Sequence, residues 1–342
     1  MDNTTVGQWT AERINELSRA YQESSILAAA AELELFGQMA PGPFTAAQAA
    51  IRLGADLRAM TILLDALAAM RLVEKSGQEY RVPAEVARLL DGVAPGNQLA
   101  MTQHQANCLR RWSQLASVVK TGRRAAAQPS IRGEQADYAA FIEAMDNVSA
   151  PVADQIVQQL QPLRFDHLLD VGGGSGTWTL ALLRANPAAR ATIFDLPQVM
   201  PQAQRRIASA GLAERVSFVG GNFETDPLPG GVDLAWVSAI VHQNSRVQNR
   251  RLFASVFASL LPGGQILIRD ILMDPSRTSP RAGALFAVNM LVSTDQGGTF
   301  TFDELREDLS QAGFTQVQVR RRDPGMNSVV AARKPRESAG GC

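Results

Sequence analysis

The chain has 342 residues but only 2 cysteines, 3 histidines and 3 tyrosines, and aromatics make up 6%. Cys108 and Cys342 are too few for a disulfide framework or a zinc cluster, which fits a reducing, cytoplasmic setting. Net charge is also missing. The 33 basic and 33 acidic side chains cancel, so no global field draws nucleic acid or an anionic membrane. No run approaches the ~18 apolar residues of a membrane span. The polar start, Met1 to Arg13, lacks the apolar centre of a signal peptide, and the end, Ser338-Ala-Gly-Gly-Cys342, carries no lipidation motif. What the chain does have is length, enough for two domains and a sizeable core.

It also has glycine where glycine has a purpose. Leu168 to Trp178 is an apolar strand running into a glycine-rich turn, and Asp195 closes a second apolar stretch. Glycines let a backbone turn sharply and approach a ligand too closely for any Cβ, and an acid at the tip of the next strand accepts from ribose hydroxyls. This is the pattern of a nucleoside crevice. A dinucleotide fingerprint places a small third residue after G-x-G-x-x, whereas Thr177 stands there. The pattern present is Asp170-x-Gly172-x-Gly174-x-Gly176, which does not call for a pyrophosphate and favours S-adenosylmethionine (SAM) over NAD.

Texture changes near residue 150. Before it nearly everything reads helical: Ile14, Leu17, Tyr21 and Ala28 keep helical spacing, Ile26 to Phe36 continues, and Pro41-Gly-Pro43 ends the run. Thr45-Ala-Ala-Gln48 is a capping box, Leu57 to Met70 an amphipathic helix, and Leu72 to Val82 a hairpin around Ser76-Gly77. Helix, helix, hairpin is a winged-helix order. DNA binding needs several phosphate contacts, but Arg58 and Arg71 are offset by Asp56 and Asp65, so the second helix reads as a packing helix. The apolar helices before Pro41 exceed what one small domain needs to bury, which predicts a homodimer.

After Pro162 strand and helix alternate, the order of a doubly wound parallel sheet. The expected strands are His167 to Val171, Ala191 to Phe194, Val216 to Val219, Val232 to Val237 and Gln265 to Ile268, then an antiparallel pair, Thr315 to Arg320 and Asn327 to Ala332. The fold class is therefore α/β, a Rossmann-like sheet with a C-terminal hairpin behind a helical winged-helix domain. The boundaries are 1–100 for the front domain, 101–150 for a helical linker that contributes to the substrate pocket, 151–335 for the cofactor domain and 336–342 for the tail.

Several segments match in order and spacing. Asp170-Val-Gly-Gly-Gly-Ser-Gly176, Phe194-Asp-Leu-Pro197, Val219-Gly-Gly-Asn-Phe223, Leu261-Pro-Gly-Gly264 and Thr299-Phe-Thr-Phe-Asp-Glu-Leu305 resemble the plant-type small-molecule O-methyltransferases and their bacterial relatives, of the caffeate and acetylserotonin O-methyltransferase kind. Ala31-Glu-Leu-Glu-Leu-Phe36 and Arg111 to Gly122 resemble the family's dimerisation domain. The resemblance spans about residues 11 to 333 and implies SAM as methyl donor. It implies that Gly172, Gly174 and Gly176 wrap the methionine part, Asp195 holds the ribose, Asn222 and Phe223 flank the adenine, and Ser238 offers a backbone contact. Asn222 stands where the family usually has an acid.

The same resemblance makes His242 the base that takes the acceptor's hydroxyl proton, a task suited to an imidazole of unperturbed pKa near 6.5. His167 is the more structural of the other two histidines. The acceptor is expected near His104, Trp112, Phe141, Met145, Asn289 and Met290, although Phe141 and Met145, four apart, equally suit a plain core. Plant members flank the histidine with two glutamates. Aligned by their neighbours these positions are Arg269 and Thr299, and strand alternation is expected to turn Asp270 away, leaving His242 alone. That favours an already acidic hydroxyl, or a carbon or nitrogen acceptor. The remote alternative is a non-catalytic SAM sensor or DNA-binding regulator. Asp270, Asp274, Asp295 and Asn289 could offer oxygen ligands to magnesium, but loop aspartates are more often turn formers, and no metal is expected.

Overall fold

The computed structural model describes residues 9–94 and 96–336. Met1 to Gln8, most of the polar start, and the tail from Glu337 to Cys342, with its cysteine, lie outside the described residues. The chain forms two compact units, residues 1–110 with 128–144, and 111–127 with 145–342.

The first unit begins with α1 (Ala11–Arg19), α2 (Tyr21–Glu32) and α3 (Leu35–Met39). The single helix expected over Ile26 to Phe36 is broken at Glu34, which takes a left-handed φ of 54°. Leu35 and Phe36, adjacent in sequence, are both fully buried. The turn at Glu34 sets α3 on a new axis, and Leu35, Phe36 and Met39 join Ala30 of α2 in one core. A two-residue strand, β1 (Phe44–Thr45), leads into α4 (Ala46–Leu53), where Thr45 and Gln48 form the expected capping box. Next come α5 (Leu57–Ala69), capped by Asp56, and the hairpin β2 (Glu74–Ser76) and β3 (Glu79–Arg81). These strands pair in the order β1-β3-β2. On α5, Met60, Leu64 and Leu67 are buried at helical spacing against Leu35 and Phe36. α6 (Ala84–Leu90) and α7 (Leu99–Trp112) follow, and Gln103 on α7 donates to the Ala31 carbonyl at 2.9 Å.

Seven strands make the sheet of the second unit: β4 (His167–Val171), β5 (Arg190–Asp195), β6 (Val216–Gly220), β7 (Val232–Ser238), β8 (Leu260–Asp270), β11 (Thr315–Arg321) and β12 (Ser328–Arg333). Their order is β11-β12-β8-β7-β4-β5-β6. The five from β8 to β6 run parallel, while β12 pairs antiparallel with both β8 and β11. The expected sheet and closing hairpin are both present. Two short strands, β9 (Leu272–Met273) and β10 (Phe300–Thr301), pair beside it.

Strand alternation splits the core. Leu168, Leu234, Trp236 and Leu267 face one layer with α10 (Thr177–Ala185), α11 (Met200–Ser209) and the second half of α9 (Glu134–Gln159). Leu169, Val171, Val237, Ile266 and Ile268 face the other, with α12 (Arg246–Ser259) and α14 (Phe302–Gln311). Each fully buried Leu, Ile or Phe contributes about 1.5–3 kcal/mol. α8 (Leu115–Thr121) packs with α13 (Arg281–Ser293) through Val118 and Val292. Among the described residues no helix is long and apolar enough to cross a membrane.

Candidate active site

The apolar run of β4 ends in a turn in which Gly172, Gly174 and Gly176 all take left-handed φ, at 67°, 54° and 75°. A Cβ on Gly172 would lie 2.5 Å from Ile240 Cδ1, whereas above Gly174 the nearest atom to a Cβ is 4.0 Å away. The turn is therefore packed beneath and open above. It folds onto Asp195 at the tip of β5: the Gly174 N–H donates to Oδ2 and the Leu196 N–H to Oδ1, both at 2.7 Å. Burial pushes the Asp195 carboxyl above the usual range, and these two donors oppose that shift. A carboxylate has about four acceptor sites, so two remain for vicinal hydroxyls. A ribose acceptor beside open, Cβ-free backbone fits a nucleoside-bearing cofactor. Behind the turn, Asp146 accepts from Thr177 Oγ1 and from Arg206, tying α9 and α11 to the start of α10.

Around the expected adenine position, Asn222 Oδ1 accepts from the Glu224 N–H at 2.9 Å, and Phe223 packs on the second core layer. One lone pair of the Asn222 carbonyl is thus engaged locally. The Ser238 hydroxyl accepts from Arg269 Nη1 at 3.1 Å, which leaves its O–H as well as its backbone to a ligand.

His242 lies in a short turn, Val241–Gln243, just past β7. It does not stand alone. Both carboxylate oxygens of Asp270 are 2.9 Å from Nδ1, and the pair is buried, with 8% and 3% of the side chains exposed. The expectation that alternation turns Asp270 away is overturned by the alternation itself. Asp270 is in phase with Ile266 and Ile268, whose layer also holds Ile240 and Val241 beside the histidine. Arg269 is the residue that points elsewhere, in phase with Leu267. It stacks on Trp178 at 4.5 Å and donates to Asn327 Oδ1, and burial lowers its pKa to about 10.

The Phe286 ring meets the imidazole edge-on at 4.8 Å, and the Gly298 N–H donates to the His242 carbonyl at 2.9 Å. No hydrogen bond joins Nε2 to another described residue. An imidazole fixed through Nδ1 by a carboxylate presents a basic Nε2, the arrangement of a general base. Thr299, at the second family acid position, is buried and offers no carboxylate; its carbonyl accepts from Arg277 at 3.0 Å.

This geometry agrees with what the chain is similar to. Residues 112–315 match the O-methyltransferase domain, and residues 15–90 match the O-methyltransferase dimerisation domain. The chain belongs to the O-methyltransferase family. It is a SAM-dependent methyltransferase of small molecules. Among its relatives is the tetracenomycin polyketide synthesis 8-O-methyl transferase TcmO of Streptomyces glaucescens, 34% identical, with 94% of this chain and 96% of the relative covered. Another is the N,N-dimethyltransferase OxyT of Streptomyces rimosus, 29% identical over 95% of this chain and 97% of its own. Human N-acetylserotonin methyltransferase, solved in complex with SAM, superposes with a TM-score of 0.80 at 26% identity, covering 97% and 99% of the two chains.

The residues that family resemblance assigns to the acceptor divide between the units. In the first unit the His104 and Phe141 rings meet tilted at 54° with centroids 5.2 Å apart, and His104 Nε2 lies 3.6 Å from Cys108 Sγ. In the second, Trp112 Nε1 donates to Asn289 Oδ1 at 2.9 Å, Met290 is buried and Met145 is half-buried. The four oxygen ligands weighed for magnesium are engaged separately: Asp270 with His242, Asp274 with Arg322, Asp295 with Arg124 and Asn289 with Trp112.

Sequence reasoning missed Phe286, Asp146 and the Gly297-Gly298 loop against His242. For Asp270 a signal was present, since counting alternation back through Ile268 and Ile266 places it on the histidine side. The other contacts join distant segments and leave no local pattern.

Proposed function

We propose that the protein methylates a phenolic hydroxyl on an aromatic or polyketide-like small molecule, with His242 as general base. The observation that carries this reading is the buried His242–Asp270 pair. SAM supplies an electrophilic methyl group on a sulfonium sulfur. Gly172, Gly174 and Gly176 line the methionine arm, Asp195 takes the ribose hydroxyls, Asn222 and Phe223 border the adenine, and Ser238 contributes its backbone. In the second unit Trp112, Met145, Asn289 and Met290 face the acceptor.

Nε2 of His242 accepts the hydroxyl proton as the oxygen attacks, and Asp270 holds the Nδ1–H tautomer and balances the charge that forms on the ring. Such help is worth about 10² to 10⁴ in rate, while alignment of the reactants contributes roughly 7–11 kcal/mol. A phenol, with a pKa near 10 like tyrosine's, needs no second acid. An amine attacks through a lone pair it already has, so a buried base–acid pair favours oxygen over the nitrogen chemistry named for OxyT.

The working form is a cytoplasmic homodimer. α1 has no buried residue, and Ile14, Leu17 and Tyr21 are more than half exposed, a surface that a second copy would cover.

Incubation with SAM and a panel of hydroxylated, aminated and unsubstituted polycyclic aromatics, followed by mass spectrometry of the products, tests the acceptor class. Methyl ethers are expected; products methylated only on nitrogen or carbon would contradict it.

A further inference from the structure

A cation taken out of water needs an anion close by, and Arg269 has none. It is 4% exposed on β8, between Ser238 of β7 and Val329 of β12 in the strand register. Nε and Nη2 donate to Asn327 Oδ1 at 2.9 and 2.6 Å, Nη1 donates to Ser238 Oγ at 3.1 Å, and the guanidinium lies over the Trp178 ring, 4.5 Å from its centroid. Every one of these partners is uncharged. The acids whose charge reaches it, Asp270 and Asp323, are committed to His242 and to Arg321. Burial lowers the guanidinium's pKa to about 10, which leaves it charged at neutral pH.

Ser238 carries that charge's influence to the cleft. A serine hydroxyl has a single donor, and with one lone pair taken by Arg269 its O–H turns away from the guanidinium. No second hydrogen bond joins the Ser238 side chain to another described residue. A hydroxyl that accepts from a cation is also the stronger donor. Val171 pairs with Val237 on one side and with Phe194 on the other, so Ser238, Gly172 and Asp195 follow side by side at the carboxyl edge of the sheet. With neighbouring strands about 4.8 Å apart, Ser238 and Asp195 stand about 10 Å from each other across the glycine turn. A cofactor whose ribose is held at Asp195 therefore reaches Ser238 with its amino-acid end.

We infer that Ser238 and Arg269 form the site for the methionine carboxylate of SAM, the Ser238 O–H donating to it and the Arg269 cation balancing its charge from one hydrogen bond behind. This rests on the proposed ribose site at Asp195 and on no property of the methyl acceptor. It gives the buried cation its anion.

Calorimetry with S-adenosylhomocysteine and two analogues of it tests the assignment, one analogue lacking the carboxylate and the other lacking the amine. In the wild type the decarboxylated compound binds about 10- to 100-fold more weakly than S-adenosylhomocysteine, the scale of a hydrogen bond to a charged group. Ser238→Ala and Arg269→Met each lower that ratio at least fivefold, by weakening S-adenosylhomocysteine and sparing the decarboxylated compound. Asn327→Asp keeps the side-chain shape, pairs the guanidinium inside the protein, and lowers the ratio likewise, so the test survives if Arg269→Met does not fold. The deaminated compound keeps its ratio to S-adenosylhomocysteine in all three variants. A carboxylate ratio unchanged in Ser238→Ala and Asn327→Asp would overturn the inference, and so would variants that alter the amine ratio instead. Adenosine, which has the ribose and no arm, reports on Asp195 separately: it binds the three variants as it binds the wild type and is weakened by Asp195→Ala. Adenosine binding indifferent to Asp195→Ala would overturn the ribose site and the carboxylate site with it.

Discussion

The backbone N–H of Gly298 reaches the carbonyl oxygen of His242 at 2.9 Å, so the loop after α13 holds the residue whose ring Asp270 holds from the other side. At the neighbouring Gly297 a Cβ would fall 2.6 Å from that carbonyl and would also crowd Thr294 Oγ1. These obstacles are mostly backbone, so the histidine turn must shift. Gly297→Ala is expected to lower kcat by at least tenfold with a smaller change in the KM for SAM, because displacement of a reacting group by about 1 Å costs on the order of 10²-fold. Steady-state kinetics with a phenolic acceptor checks it; unchanged kcat would show that the loop does not position His242.

Asp270→Asn retains the shape of the side chain but offers Nδ1 either an N–H or a neutral carbonyl, so neither the tautomer nor the charge is held. A loss of about 10²-fold or more in kcat/KM is expected, smaller for acidic nitrophenols than for phenols of pKa near 10. Rates across a phenol series measure this. A loss independent of phenol acidity would mean that Asp270 serves folding and not the base.

Gly172→Ala combines a left-handed φ of 67° with a Cβ 2.5 Å from Ile240 Cδ1. Binding of S-adenosylhomocysteine, read by calorimetry, should weaken at least tenfold. The obstructing atom is the far end of one side chain, so adding Ile240→Val should restore part of the affinity. The backbone strain of roughly 1–2 kcal/mol stays in the double variant. A double variant no better than the single one would place the whole cost in the backbone.

Asp170, 1% exposed under the glycine turn, has one side-chain donor, Thr179 Oγ1 at 2.6 Å. Burial raises its pKa from 3.8 to about 7. Below 3.8 the folded and unfolded chains are both protonated and stability from this group is at its fullest. Between 3.8 and about 7 the unfolded chain releases a proton that the folded chain keeps, so stability falls as pH rises and the loss is complete above 7. Asp170→Asn removes that slope. Denaturant midpoints measured from pH 5 to pH 8 should show the variant gaining on the wild type as pH rises; parallel curves would mean that Asp170 ionises without cost.

How much of this was legible in the sequence follows from how local each signal is. Runs such as Leu168-Leu-Asp-Val171 and the capping box at Thr45 lie within a few residues, and glycines that need left-handed φ mark themselves. The sheet and the crevice were therefore readable. Asp270 was misplaced because the family alignment set Arg269 at the acid position, and alternation was then counted from the wrong residue. Trp112 and Asn289 stand 177 residues apart, and Asp146 and Thr177 are 31 apart on different elements. Only the folded chain brings such partners together, and no periodicity in either segment announces the other.

The most direct measurement of the central claim is the single-turnover rate of methyl transfer from labelled SAM to a phenol of pKa near 10, by wild type and His242→Ala under saturating acceptor. The account predicts a rate about 10² to 10⁴ lower in the variant, with binding of S-adenosylhomocysteine retained. Equal rates in the two proteins would contradict it.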